Sequence, residues 1–273
     1  MKRTASLREE NTLMIKLLAI GDVTSPRAAE ALAASLWGIR KKHGVDFVSV
    51  NAENAGFIMG PTPEVAHLLL NAGADVLTGG NHILQNQFLH GMLENDTRVL
   101  RPANYPAAAP GAGYTLSDVR GYRLLTVNVM GRVHMEPPLD SPFEAVEHIL
   151  KREKDNYDLA ILDIHAEATG EKVALAHYFD GRFAAIFGTH THVPTADCRI
   201  LPKGTGYVTD LGMCGADSGI LGIAEEAVMK RYLTGISSRF SPADGNMLAD
   251  GVLFTVEETG RCLSVERLRF SLA

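Results

Sequence analysis

The chain has 273 residues, of which 46% are hydrophobic and 21% charged, with a formal net charge of −6; it is long enough to build a core without disulfide staples. No dense Lys/Arg run accompanies the acidic balance, which argues against a duplex nucleic-acid binder, while a small anionic substrate stays open because bound cations can reverse a local field. Three cysteines, Cys198, Cys214 and Cys262, form neither a CxxC pair nor a zinc-ribbon spacing and read as reduced thiols of a cytoplasmic protein.

Residues 1–13 are mostly polar and charged and lack the apolar stretch of a secretory signal. They read as a disordered extension ahead of one domain over 14–273. The apolar run from Met14 to Ile20 is too short to span a bilayer. It reads as a strand that stops at Gly21-Asp22. Ser25-Pro26 then opens a helix that Gly44 closes, the proline sitting where a first-turn N–H needs no partner. Phe47 to Val50 is a second strand, ending at Asn51-Ala52-Glu53-Asn54. Thr62-Pro63 opens a helix closed by Gly73, and Ala74 to Leu77 leads to Thr78-Gly79-Gly80-Asn81-His82. Leu124 to Val129 leads to Met130-Gly131-Arg132, and Ser141-Pro142 opens a helix to Arg152. Leu159 to Ile164 ends at His165-Ala166-Glu167, and a helix over Glu171 to Phe179 follows. Phe183 to Phe187 leads to Gly188-Thr189-His190-Thr191-His192. After Gly204 the chain turns β-rich around a helix at Ile223 to Leu233, and closes with a hairpin of Gly251–Val256 and Cys262–Phe270.

Short, nearly continuous apolar runs are strands buried on both faces. Alternating with helices, they predict an α/β layered fold whose strand ends gather polar residues on one edge. Those ends carry Asp22, Glu53, Asn54, Asn81, His82, His165, His190 and His192. Carboxylate, amide and imidazole donors without a thiolate suit Mn²⁺, Fe or Zn²⁺. His190 and His192 are two apart, which in an extended segment points both rings the same way. The ligand number implies two ions, with Glu53 bridging them. Such a cluster attracts phosphate and activates water. His165-Ala166-Glu167 matches half of a zinc-deaminase motif, but no P-C-x-x-C follows. A G-x-S-x-G elbow, a Walker A loop, a G-x-G-x-x-G turn and an H-E-x-x-H helix are all absent. The remaining six histidines have no evident partners and read as ordinary, and Cys214 reads as a buried inert thiol.

Gly21-Asp22, Glu53-Asn54, Gly80-Asn81-His82, His165 and Gly188 to His192 resemble, in order, the motifs of the calcineurin-like metallophosphoesterase superfamily. Arg101-Pro102-Ala103-Asn104-Tyr105-Pro106, His165 to Thr169 and Gly188 to Thr195 resemble its YmdB-like bacterial phosphodiesterase branch. The resemblance implies a four-layer αββα sandwich, a di-metal site of Fe or Mn with Zn an alternative, and hydrolysis of a small phosphodiester such as a 2′,3′-cyclic nucleotide. It places Asp22, Glu53 and His192 on one ion and Glu53, Asn81, His165 and His190 on the other. Asn54 would be a ligand or close neighbour, and His82 would protonate the leaving oxygen or steady the transferring phosphoryl group. It also suggests a homo-oligomer. Relatives of this branch tend to carry a glycine-rich Asn-Ala-Ala-Gly-Gly segment where this chain has Asn54-Ala55-Gly56-Phe57-Ile58-Met59-Gly60. Thr78-Gly79-Gly80 and Cys214 also depart from the branch. The expected function is therefore a metal-dependent phosphodiesterase. A phosphomonoesterase or nuclease on the same metal core, and a nucleotide-binding regulator with little turnover, remain alternatives.

Overall fold

The computed structural model describes residues 14–272, so the expected extension over 1–13 lies outside the described residues. β1 (Met14–Ile20) runs through Gly21 into the short β2 (Asp22–Val23), and α1 (Pro26–His43) follows. Ser25 Oγ accepts from Ala28 N at 3.1 Å, and Gly44 ends α1 at φ 64°. This is the device the Ser-Pro…Gly spacing predicts. β3 (Phe47–Asn51), α2 (Pro63–Asn71), β4 (Val76–Thr78) and the short α3 (His90–Asn95) complete the first half. β5 (Tyr114–Val119), β6 (Tyr122–Met130), α4 (Pro142–Arg152), β7 (Leu159–His165), α5 (Thr169–Tyr178) and β8 (Ala185–Thr189) form the second. β9 (Arg199–Ile200), β10 (Gly206–Val208), β11 (Met213–Ala216), α6 (Glu225–Thr234), β12 (Met247–Glu257) and β13 (Cys262–Ser271) finish the chain.

The strands form two sheets. In the first, β1, β3 and β4 are parallel neighbours, and β12 pairs antiparallel with β1, β11 and β13. In the second the order is β5-β6-β7-β8-β10-β9. Alternation along each strand sorts side chains into layers. Ile15, Leu17 and Ala19 of β1 join Leu159 and Ile161 of β7 in the core between the sheets, where Phe187 and Phe254 pack with ring centroids 6.1 Å apart. Leu18 and Ile20 of β1 face outward against Leu32 and Leu36 of α1. Leu162 and Ile164 of β7 face outward against Val146 of α4 and Leu175 of α5. Helices therefore cover the outer face of each sheet, giving the four-layer αββα sandwich. A strand buried on both faces has no polar face to show, which is why these runs read as continuous.

Three expectations shift. The fifth helix begins at Thr169, ahead of Glu171, and the sixth at Glu225. His90 has a partner after all: its Nε2 lies 2.9 Å from Leu84 O.

Candidate metal centre

The C-terminal ends of β1, β3 and β4 in one sheet, and of β7 and β8 in the other, open on the same side. They deliver all of the expected residues to one place: Asp22 after β1, Glu53 and Asn54 after β3, Asn81 and His82 after β4, His165 at the end of β7, and His190 and His192 after β8. Glu53 is the hub. Donor atoms of Glu53, His165 and His190 lie within 4.8 Å of one another, and so do those of Asp22, Glu53 and His192. Two adjacent groups thus share one carboxylate. Asn81 joins the first, its Oδ1 3.0 Å from His165 Nε2, which is 3.1 Å from His190 Nδ1.

Each of His165, His190 and His192 has one ring nitrogen engaged from behind and the other turned toward the cluster. His192 Nδ1 donates to Leu221 O at 3.1 Å, and a carbonyl can only accept, so Nε2 carries the lone pair. His190 Nε2 lies 3.2 Å from Glu167 Oε2, leaving Nδ1 toward the cluster. His165 Nδ1 donates to Thr189 Oγ1 at 3.0 Å, which donates in turn to Asp163 Oδ1 at 2.8 Å. Metal-binding imidazoles are oriented in this way, with a carbonyl, carboxylate or hydroxyl fixing the tautomer from behind. Asp163 is itself held by Thr78 Oγ1 at 2.5 Å and Asn51 Nδ2 at 3.2 Å. Burial pushes its carboxyl up to about 6 even against those hydrogen bonds.

The carboxylates differ sharply in their surroundings. Asp22 Oδ2 accepts the His190 amide at 3.0 Å, but its Oδ1 is buried without a partner, 3.7 Å from His165 Nδ1 and 3.9 Å from His192 Nε2. Burial, then the nearby Asp210 and Glu53 carboxylates, drives the Asp22 carboxyl well above its ordinary value. Burial holds His165 well below the imidazole range, in the neutral form that binds metal. Glu53 goes the other way: burial is outweighed by His165, by the His82 ring and by the His82 amide, and its carboxyl sits at about 2. A buried oxygen with no donor in hydrogen-bond reach, beside the lone pair of His192 Nε2, is satisfied by a cation. The residues present therefore fit divalent ions, and the O/N donor set fits Mn, Fe or Zn without selecting among them.

Asn54 belongs to the cluster in a different orientation from a ligand. Its Nδ2 faces Glu53 Oε1 and lies 3.3 Å from His192 Nε2, while its Oδ1 is buried and unpartnered. A half-turn of the amide exchanges the two ends and turns the oxygen to the cluster. His82 places Nδ1 3.1 Å from Glu53 Oε1 and Nε2 3.1 Å from Asn81 Nδ2, and lines the cleft above. Burial opposes protonation of His82, and the Glu53 carboxylate overcomes it, so its affinity for a proton is raised.

The His190-Thr191-His192 segment is bent and not extended, and its two histidines fall in the two adjacent groups: His190 has φ 101° and His192 φ 63°. These left-handed conformations cost about 1–3 kcal/mol each and persist only where surroundings impose them. A buried ion pair beneath the loop does so. Lys172 Nζ lies 2.7 Å from Asp210 Oδ2 and 2.8 Å from Thr189 O, and Asp210 accepts from Thr191 N at 3.1 Å and Gly212 N at 2.9 Å. Gly80 is demanded by close approach: a Cβ there would lie 2.3 Å from the His165 ring. Asn104, in the Arg101–Pro106 segment, ties the end of β6 in place through Met130 N at 2.9 Å and Met130 O at 2.8 Å. Sequence reasoning missed Asp163, Lys172 and Asp210. Asp163 had a signal, as the single charge in the apolar run from Leu159 to Ile164.

Two helix-covered sheets with Asp, Glu, Asn and His converging at their strand ends define the metallophosphoesterase class of phosphoric ester hydrolases. Within it, residues 18–268 match the model of the YmdB-like protein family, and the chain belongs to that family. It is 38% identical over 255 residues to the 2′,3′-cyclic-nucleotide 2′-phosphodiesterase of Bacillus subtilis strain 168, covering 93% of this chain and 96% of the relative. A hypothetical protein from Thermus thermophilus superposes with a TM-score of 0.89 at 40% identity, over 95% of this chain and 100% of that one. A crystal structure of a novel phosphatase from Mycoplasma pneumoniae superposes with a TM-score of 0.88 at 30% identity, over 96% and 95% of the two chains. Among the described residues no helix is long and apolar enough to cross a membrane.

Proposed function

We propose that the chain is a di-metal phosphodiesterase acting on small phosphodiesters, 2′,3′-cyclic nucleotides foremost. The observation that carries it is Asp22 Oδ1, buried and partnerless between two imidazoles whose tautomers are set for ligation. Asp22, Glu53 and His192 would hold one ion, and Glu53, Asn81, His165 and His190 the other, with Asn54 joining after its amide turns. Bound there, two divalent cations supply a nucleophilic water and neutralise charge on the phosphoryl oxygens. The chain's own residues do the rest. Glu167, Thr189 and Leu221 O keep the three ring lone pairs aimed inward. His82, which lines the cleft and is raised toward protonation by Glu53, donates a proton to the departing alkoxide. The cyclic-nucleotide assignment is supported by the Bacillus subtilis relative.

The test is hydrolysis of bis-p-nitrophenyl phosphate, then of 2′,3′-cyclic nucleotides, by apo-protein reloaded with Mn²⁺ or Fe²⁺. Turnover that needs metal and disappears in Asp22→Asn/His192→Ala is the expected result. Metal bound without diester cleavage refutes the reading. The phosphatase description of the Mycoplasma pneumoniae structure favours a monoesterase as the second reading. Faster phosphate release from monoesters than diester cleavage would select it.

A further inference from the structure

The cleft above the cluster has two unlike halves. It encloses about 350 Å³. Its floor carries Glu53, Asn54, His82, His190 and His192, with Glu167 and Thr191 attached to the same histidines. The rest of its lining is largely apolar: Phe57, Ile58, Leu221, Ile223 and Phe240 form a hydrophobic wall. Thr24 also lines the cleft, but its hydroxyl is committed to Cys214 O at 3.2 Å. No polar side chain belongs to this hydrophobic wall.

The backbone that presents this wall is strained. Phe57 has φ 65°, Ile58 φ 56° and Leu221 φ 53°. Two successive left-handed residues, one of them β-branched, form a conformation that L side chains rarely adopt. Among the described residues eight non-glycine positions have positive φ, and five of them line this one cleft: Phe57, Ile58, His190, His192 and Leu221. Strain concentrated there points to a function that needs those side chains where they are. Both strained loops are anchored to the site itself. Gly60 N donates to His82 O at 3.0 Å, and Leu221 O holds His192 Nδ1 at 3.1 Å. The distance from apolar wall to metal ligands is thereby fixed.

We propose that this wall seats the base of a single nucleotide whose phosphate lies on the cluster, and that it reads the face of the base and not its edge. The inference rests on the phosphoesterase reading of the cluster. Aromatic and aliphatic walls bind every base, because each has a π-face, and without donors or acceptors they cannot tell one edge from another. The volume lies at the lower end of small-molecule sites, so the class of ligand is the mononucleotide, any base accepted.

Calorimetric titration of the Mn²⁺-loaded protein with 3′-AMP, 3′-GMP, 3′-CMP, 3′-UMP and ribose 5-phosphate tests this. Phe57→Gly removes the ring while suiting φ 65°, so it folds; Phe240→Ala removes the second ring. The expected result is that the four nucleotides bind within about fivefold of one another and at least about tenfold tighter than ribose 5-phosphate, and that either variant cuts that preference about tenfold. Equal affinity for nucleotide and ribose phosphate, a single favoured base, or an unchanged preference in both variants overturns the proposal. Metal-dependent cleavage of bis-p-nitrophenyl phosphate, run on the same samples, separates the two failures. Its absence alongside an intact nucleotide preference sinks the phosphodiesterase reading and keeps the base seat. Its presence without the preference does the reverse.

Discussion

Replacing Lys172 by Met tests the view that a buried ion pair holds the loop of His190 and His192 in its bent form. Lys172 and Asp210 are both fully buried, 2.7 Å apart. The substitution fills the space but strands the Asp210 carboxylate, and breaking such a pair costs about 3–5 kcal/mol. For 273 residues the unfolding entropy is about 0.57 kcal/mol/K, so the melting temperature falls by about 5–9 °C. Lys172→Met/Asp210→Asn removes the stranded charge while keeping one acceptor for Thr191 N or Gly212 N. It should recover at least half of the loss. Scanning calorimetry of the apo-proteins measures both. A single-variant drop under about 2 °C, or a double variant no better than the single, would show that the charge pair does not brace the loop.

Gly80→Ala would place a methyl 2.3 Å from the His165 ring, which is buried and tied to Thr189. Metal content after reconstitution should fall by about one ion per chain, while an unchanged content refutes the packing argument. Asp163→Ala removes the anchor behind Thr189 and His165. Chelator competition should show metal affinity reduced about 10–100-fold, the usual cost of losing such support, and undiminished affinity counts against the relay. Asp197 accepts from the hydroxyls of Thr195 and Thr209, both at 2.7 Å; burial opposes its ionisation, yet these bonds hold its carboxyl below the ordinary range. A carboxyl so lowered stabilises the fold fully above its unfolded value of about 3.9, and loses that contribution as pH falls through the folded value. The melting gap between wild type and Asp197→Asn should therefore be complete at pH 6 and close toward pH 3, and a gap constant with pH refutes it.

Much of this architecture is legible in the chain. The Ser-Pro and Thr-Pro caps of α1, α2 and α4 state where those helices begin, because a proline without an N–H fits only there. The strands sandwiched between layers are equally plain, since both of their faces must be apolar. Short pieces such as β2, β9 and β10 escape, because two or three residues carry no period. The cluster is legible as a constellation: each candidate ligand follows an apolar run, and the parallel strand direction gathers them. What sequence cannot give is the shape of the loop carrying His190 and His192. Its bend is imposed by Lys172 and Asp210, which lie 18 residues before and 20 after His190 and look like surface charges until the fold encloses them. The amide orientation of Asn54 likewise depends on neighbours far along the chain.

The place of β12 bears on the order in which the molecule can be made. Over Gly251–Glu257 it is the sheet partner of β1, over Met247–Ala249 that of β11, and Gly21 N donates to Asp250 O at 3.0 Å. The turn that sets Asp22 is therefore fixed by residues more than two hundred positions later. During synthesis every candidate metal-binding side chain is made before the strand that braces Asp22. The nascent chain thus carries the donors without their geometry. On the proposed reading of the cluster, a cation could be held in the folded arrangement only after the C-terminal hairpin docks, and a chain cut short of residue 247 would retain all the candidate donors but not their arrangement.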